Sequence, residues 1–112
     1  MAWVPERGDV VWISLTPQVG REQAGRRPAV VLSPVAYNER VGLAVFCPVT
    51  SAVKGYPFEV PLPAGTGVRG VVLADQARSL DWRARQAEFH ARLPDETTAE
   101  ILQKLHTLLD AP

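Results

Sequence analysis

Short apolar segments separated by prolines and glycines most strongly limit what this 112-residue chain can fold into. Six of them follow one another along the sequence, at residues 9–15, 29–32, 43–49, 58–62, 71–74 and 85–93. Strands of this length joined by tight turns are typical of antiparallel sheets, because parallel strands need long crossover connections. The pattern therefore predicts a small, strongly curved, mostly antiparallel sheet or barrel.

Length and composition indicate one folded domain spanning residues 1–112. Hydrophobic residues make up 46% of the chain and charged residues 21%, which is typical of globular domains. No apolar run approaches the roughly 18 residues of a membrane span, and residues 1–8 lack the layout of a signal peptide. We therefore expect a soluble cytoplasmic protein. The single cysteine, Cys47, lies in an apolar run and is expected in the core.

Helical periodicity is clear only near the C-terminus. A cap from Asp95, or from Thr97 with Glu100, would begin this helix. Its apolar stripe consists of Ile101, Leu102, Leu105, Leu108 and Leu109. Residues 33–42 are interpreted as a turn with a short helix. In the predicted strand at 58–62, alternation places Phe58, Val60 and Leu62 on one face. In the predicted strand at 85–93, alternation predicts four inward-facing residues: Ala87, Phe89, Ala91 and Leu93.

Charge is unevenly distributed although the formal net charge is zero. Residues 21–85 contain nine Lys or Arg against five Asp or Glu, whereas residues 86–112 contain two against five. Ten of the twelve cationic residues are arginine, which suits bidentate phosphate recognition and would equally follow from a GC-rich genome.

Several chemistries lack the residues they need. His90 and His106 have no metal-ligand spacing around them, so we expect no dedicated metal site. The Gly65-Thr66-Gly67 run lacks the rest of a phosphate-binding loop and is interpreted as a turn. A serine or cysteine triad would need a paired imidazole, and both histidines are interpreted as surface residues.

The remaining reactive residues lie at strand ends, where a rigid scaffold usually presents functional side chains. Pro28 forces Arg27 into extended backbone at the start of a strand, and Thr50 directly follows a buried strand. The other candidates, in loops next to strand ends, are Glu22, Gln23, Arg26, Ser51, Lys54, Asp75 and Gln76. Trp12, Tyr56 and Phe58 are interpreted as either base-stacking or core residues, and Trp3 and Trp82 as structural.

In order and spacing, five segments of the sequence resemble the MazF/PemK family of toxin endoribonucleases. They are residues 8–12 (GDVVW), 22–34 (EQAGRRPAVVLSP), 48–51 (PVTS), 54–60 (KGYPFEV) and 73–76 (LADQ). The resemblance implies an SH3-like barrel with short helices and a C-terminal helix, a homodimer, and single-stranded RNA bound without a cofactor. It also implies a cognate antitoxin whose extended acidic segment occupies the RNA groove.

The resemblance further implies which residues act. The family's catalytic arginine and threonine correspond to Arg27 and Thr50, and cleavage leaves a 2′,3′-cyclic phosphate and a 5′-hydroxyl. The groove-lining positions correspond to Glu22, Lys54, Asp75 and Gln76. Arg26 departs from the pattern, since close relatives often have histidine there.

A metal-free mechanism assigns roles to these residues. The 2′-hydroxyl attacks its own phosphate, so the site must remove one proton, supply another and neutralise developing charge. Arg27 suits charge neutralisation, since a guanidinium pairs with two phosphate oxygens and is a poor proton acceptor, and Thr50 suits hydrogen-bond donation. Glu22 and Asp75 both remain candidates for the base.

Two other functions compete with the nuclease. One is a non-enzymatic toxin of the same fold that poisons DNA gyrase, similar to CcdB, and the other is an SH3-like module that only binds RNA or peptide. A gyrase poison does not need an arginine and a threonine at these strand ends, so the sequence favours the nuclease over it.

Overall fold

A seven-stranded antiparallel sheet forms the body of the molecule. The computed structural model describes residues 3–15 and 25–112. Along the chain the elements are β1 (Asp9–Ser14), β2 (Arg26–Val31), α1 (Val35–Val41), β3 (Leu43–Thr50), β4 (Glu59–Pro61), β5 (Val71–Leu73), a 3-10 turn (Ala74–Gln76), β6 (Arg78–Asp81), β7 (Glu88–Arg92) and α2 (Asp95–Asp110).

The strand order along the sheet is β4-β5-β3-β2-β1-β7, and β6 pairs with the first half of β3. Every pairing is antiparallel. The expected antiparallel sheet with a C-terminal helix is confirmed. Within the described residues, however, β4 and β7 end the sheet and are not joined to each other, so the sheet does not close into a barrel.

Apolar clusters cover both faces of the sheet, which explains why several strands have continuous apolar runs. Val10, Val30 and Cys47 belong to one cluster, which also contains Ile101 of α2. Val11 and the fully buried Phe46 belong to the other. Successive residues of β1 and β3 therefore face opposite clusters, as the alternation of a strand requires. The prediction that Cys47 is a core residue is confirmed.

The last strand differs from the predicted pattern. It begins at Glu88, because the preceding residues form a turn in which Gln86 has a φ of 55°. Val10 pairs with Ala91 but Val11 pairs with Phe89, so His90 is an extra residue in a β-bulge. The bulge breaks the alternation, and Phe89, which was predicted to point inward, is 53% exposed.

Strand β6 was not predicted from the sequence. Of its four residues only Leu80 is buried, so the alternation signal is too short to see. Its place is set by pairing with β3, which is a long-range interaction. Trp82, next to β6, was expected to be structural, and its buried ring packs edge-on against Trp3 with 6.1 Å between centroids.

Helix α2 begins at Asp95, and its predicted side-chain cap is wrong. The residue before it is Pro94, whose carbonyl oxygen accepts the amide hydrogens of Thr97 and Thr98. Ile101 is buried, but Leu109, at the end of the predicted stripe, is 75% exposed. Neither described helix is long and apolar enough to cross a membrane.

A buried asparagine joins α1 to the rest of the fold. Asn38 is fully buried, and its side-chain amide donates hydrogen bonds to the carbonyl oxygens of Pro5 (2.8 Å) and Ser33 (3.0 Å). Its own carbonyl oxygen accepts the Trp82 indole N–H at 3.0 Å. These bonds tie together the N-terminal segment, α1 and the turn after β6, at the end of β2 and β3 opposite to Arg27 and Thr50.

Candidate active site

The start of β2 and the end of β3 lie side by side at one end of the sheet. The two strands pair antiparallel, with Ala29 opposite Pro48. Arg27 comes two residues before Ala29 and Thr50 two residues after Pro48, so both stand just beyond the last paired residues of the two strands. The two residues selected from separate sequence motifs therefore lie at neighbouring strand ends.

A hollow of about 400 Å³ opens beside the start of β2, and we call it the arginine hollow. Arg26 in its wall is held by Glu88, at 2.7 Å between guanidinium nitrogen and carboxylate oxygen, and also donates to the carbonyl oxygen of Gln86 at 2.8 Å. Trp12 is 37% exposed in the same wall. The complete lining is Trp12, Arg26, Arg27, Pro28, Val49, Ser51, Gly67, Val68 and Arg69.

A second hollow of about 380 Å³ lies beyond the end of β3, and we call it the threonine hollow. Its lining is Thr50, Ala52, Lys54, Tyr56, Glu59, Leu73, Asp75 and Gln76. Thr50 is only 6% exposed, and its side-chain oxygen accepts the amide hydrogen of Ala52 at 3.1 Å. Because the hydroxyl is an acceptor in this contact, its own proton remains available for donation.

Glu59 anchors the loop of the threonine hollow, and the sequence analysis did not select it. Its carboxylate is buried and accepts the amide hydrogens of Lys54 (3.1 Å) and Gly55 (2.9 Å). Its carbonyl oxygen accepts a hydrogen bond from the Lys104 ammonium of α2 at 3.0 Å. The only signal in the sequence was a glutamate within an otherwise apolar strand.

Asp75 lies in the 3-10 turn after β5 and is exposed in the threonine hollow. Its negative charge acts on Cys47, which lies beneath it in the core. Burial, and secondarily the charge of Asp75, raises the pKa of the Cys47 thiol to about 12. Cys47 is therefore a buried, protonated thiol at neutral pH.

The loop before β5 presses against the end of β3. A Cβ atom added to Gly70 would lie 2.1 Å from the carbonyl oxygen of Thr50, so only glycine allows this approach. Gly70 also has a φ of +124°. This contact fixes the backbone of Thr50 from the side opposite to its strand neighbour β2.

The predicted site residues thus form two adjoining groups. The arginine hollow contains Trp12, Arg26, Arg27 and Ser51, and the threonine hollow contains Thr50, Lys54, Tyr56, Asp75 and Gln76. The groups meet at the consecutive residues Thr50 and Ser51. Glu22 and Gln23 lie outside the described residues. Among residues 3–15 and 25–112, no three His, Cys, Asp or Glu side chains come together in a way that could hold a metal ion.

The ends of β2 and β3 present an arginine and a threonine to adjoining hollows, which is the kind of site that binds an anionic ligand. The model of the PemK-like, MazF-like toxins of type II toxin-antitoxin systems matches residues 6–109, and the chain belongs to this family.

Individual proteins agree with this membership. The chain is 46% identical to the endoribonuclease toxin MazF of Escherichia coli K12 over 107 residues, which cover 96% of each protein. It is similar to the crystal structure of MazF from Deinococcus radiodurans, with 59% identity, a TM-score of 0.94, and 98% of this chain and all of that chain covered. It is also similar to a chain in a MazE-MazF complex from Deinococcus radiodurans, with 54% identity, a TM-score of 0.87, and coverage of 99% and 100%.

Proposed function

We propose that this endoribonuclease toxin cuts single-stranded RNA, including mRNA, at a short sequence without a metal ion. The enzyme class follows from the family and from relatives named endoribonucleases. The family match also disfavours a gyrase poison or a passive binding module. One observation carries the proposed site: Thr50 and Ser51 are consecutive residues that line adjoining hollows, one with Asp75 and the other with Arg27.

The scissile phosphate binds where the two hollows meet. The 2′-hydroxyl loses its proton as its oxygen forms a bond to phosphorus. The bond from phosphorus to the 5′-oxygen breaks and that oxygen takes a proton from water, which leaves a 2′,3′-cyclic phosphate and a 5′-hydroxyl. Arg27 pairs with the phosphate oxygens as negative charge develops. Thr50 donates its hydroxyl proton to one of those oxygens, a role supported by its hydrogen bond from Ala52, which orients the hydroxyl.

We assign the proton acceptor to Asp75. Of the carboxylates in the threonine hollow, Glu59 already accepts two backbone amide hydrogens and is buried, whereas Asp75 is exposed to a ligand. A general base must reach the proton it removes, which favours the exposed group. Glu22 is the competing candidate and lies outside the described residues.

Cleavage of a long single-stranded RNA in excess EDTA, mapped by primer extension, tests the activity. The wild-type chain should cut at a short recurring sequence. Thr50→Ala should lower kcat about 10²- to 10³-fold, as the loss of an oxyanion donor does, and Thr50→Ser should restore most of it. Arg27→Ala should abolish detectable cutting. Absence of cutting by the wild-type chain would overturn the proposal, and cutting that survives both alanine substitutions would overturn the site.

Single-turnover cleavage by two variants separates the candidate bases. Asp75→Asn should lower the cleavage rate about 10²- to 10⁴-fold, as the loss of a general base does. Glu22→Gln is the matched comparison and should cut at close to the wild-type rate. The reverse result would transfer the role to Glu22.

We further propose a cognate antitoxin, a homodimer and a cytoplasmic location. Arg26, Arg27 and Arg69 around one hollow and Lys54 in the other carry positive charges that suit binding of an extended acidic segment.

We also propose a set of RNA contacts besides the reacting groups. They are Gln23, Arg26, Ser51, Lys54, Gln76, Trp12 and Tyr56. A peptide with the antitoxin's acidic segment should compete with RNA, and sedimentation should give twice the chain mass. A peptide that binds without displacing RNA would contradict the shared groove.

A further inference from the structure

Arg69 is a cation of the arginine hollow for which neither the sequence motifs nor the proposed reaction gives a role. It is exposed at the hollow, on the loop between β4 and β5. Arg26 in the same wall is already paired with Glu88. Arg69, in contrast, makes no ion pair or hydrogen bond to any residue in the described part of the chain, so its guanidinium is available to an anionic ligand.

The loop that carries Arg69 is held at several points. The buried Thr66 hydroxyl donates to the carbonyl oxygen of Val68 at 3.1 Å and accepts the amide hydrogen of Val68 at 3.3 Å. Gly67 packs against the His90 ring, with 3.2 Å from an added Cβ to Nε2, and Gly70 packs against Thr50. The backbone on both sides of Arg69 is therefore fixed, and little backbone entropy opposes binding.

His90 also contacts the aromatic side of the hollow. Its ring meets Trp12 edge-on, with 6.1 Å between centroids and 84° between planes. One residue thus supports both the loop of Arg69 and the indole of Trp12. The bulge in β7 that makes His90 an extra residue is what places it there.

We propose that Arg69 and Trp12 form a nucleotide subsite in the arginine hollow. Arg69 pairs with a backbone phosphate next to the one that is cut, and Trp12 stacks on the adjoining base. A guanidinium binds phosphate in a bidentate geometry, and aromatic side chains are the usual platforms for unpaired bases. This subsite rests on the proposed function and adds a phosphate contact that the family motifs do not include.

The salt dependence of RNA binding tests the phosphate contact. The probe is a fluorescently labelled 2′-O-methyl RNA containing the cut sequence, which lacks the attacking hydroxyl, and binding is followed by anisotropy from low to high KCl. Loss of one phosphate contact on a single strand should reduce the slope of log affinity against log salt by about 0.7 and weaken binding about fivefold at about 0.1 M salt. We expect this of Arg69→Ala, whereas Arg69→Lys should keep the slope.

Arg40→Ala is the matched control. Arg40 is an exposed arginine of α1, at the opposite end of β2 and β3 from the arginine hollow, and its loss should leave the slope unchanged. An unchanged slope in Arg69→Ala, or an equal decrease in Arg40→Ala, would overturn the subsite.

Two further readouts complete the test. Trp12→Ala should weaken binding roughly 5- to 150-fold without changing the slope, as the loss of a stacking contact does, and Trp12→Phe should recover most of it. If Arg69→Ala weakens binding of a polyglutamate peptide but not of RNA, the hollow serves a protein and the inference is wrong. If the wild-type chain neither cuts nor binds RNA, the proposed function itself fails.

Discussion

The contact between Gly70 and Thr50 makes a strong prediction about activity. In Gly70→Ala the new Cβ would lie 2.1 Å from the Thr50 carbonyl oxygen, whereas ordinary contacts begin near 3.4 Å. One of the two backbones must therefore move by about 1.3 Å. A displacement of this size in a reacting group typically costs about 10²-fold in rate.

The same substitution also strains the backbone, and this effect has to be separated from the first. A φ of +124° is unfavourable for alanine and should cost about 1 to 3 kcal/mol of folding free energy. Gly65 in the same loop has a φ of +98°, and a Cβ there would meet nothing within 4 Å. Gly65→Ala therefore has comparable strain without the collision.

The rates of single-turnover cleavage of a short RNA by Gly70→Ala and Gly65→Ala should be compared well below the melting temperature of each variant. Gly70→Ala should be about 100-fold slower than Gly65→Ala, and Gly65→Ala should be close to wild type. In an amide NMR spectrum only Gly70→Ala should shift the Ala52 resonance, which reports the bond to Thr50. Equal rates in the two folded variants would refute the view that Gly70 positions Thr50.

Three other substitutions test buried groups that hold the fold together. Glu59→Gln should lower the free energy of unfolding in urea by about 1.5 to 3 kcal/mol, because two backbone amides lose their hydrogen bonds to a charged carboxylate. A change below about 0.5 kcal/mol would contradict the role of Glu59 in holding the loop. Asn38→Ala should cost at least about 2 kcal/mol, since it leaves buried carbonyl groups unpaired, and a near-neutral result would disprove that role. Cys47 should react with iodoacetamide only after unfolding, because its folded pKa is about 12. Its folded pKa lies above the ordinary value of 9.0, so its contribution to stability is complete below pH 9 and falls as pH rises toward about 12. Cys47→Ala should reduce the fall in the free energy of unfolding above pH 9. An unchanged dependence on pH would contradict the role of the Cys47 thiol.

Local rules were sufficient for much of the fold. Continuous apolar runs predict buried strands such as β3, and the spacing of leucines predicts α2. They were insufficient where an element depends on its neighbours. The exposure of Phe89 follows from the bulge against β1, and β6 exists because β3 offers it an edge.

The candidate site divides in the same way. The sequence by itself determined that Arg27 and Thr50 stand at strand ends, because Pro28 and a buried apolar run act on their immediate neighbours. Only the tertiary structure decided that these ends lie side by side, that Glu59 holds the loop at Lys54 and Gly55, and that Arg69 lines the arginine hollow. The physical reason is range: backbone preferences and alternation act over a few residues, whereas strand register, loop anchoring and shared hollows depend on contacts between distant segments.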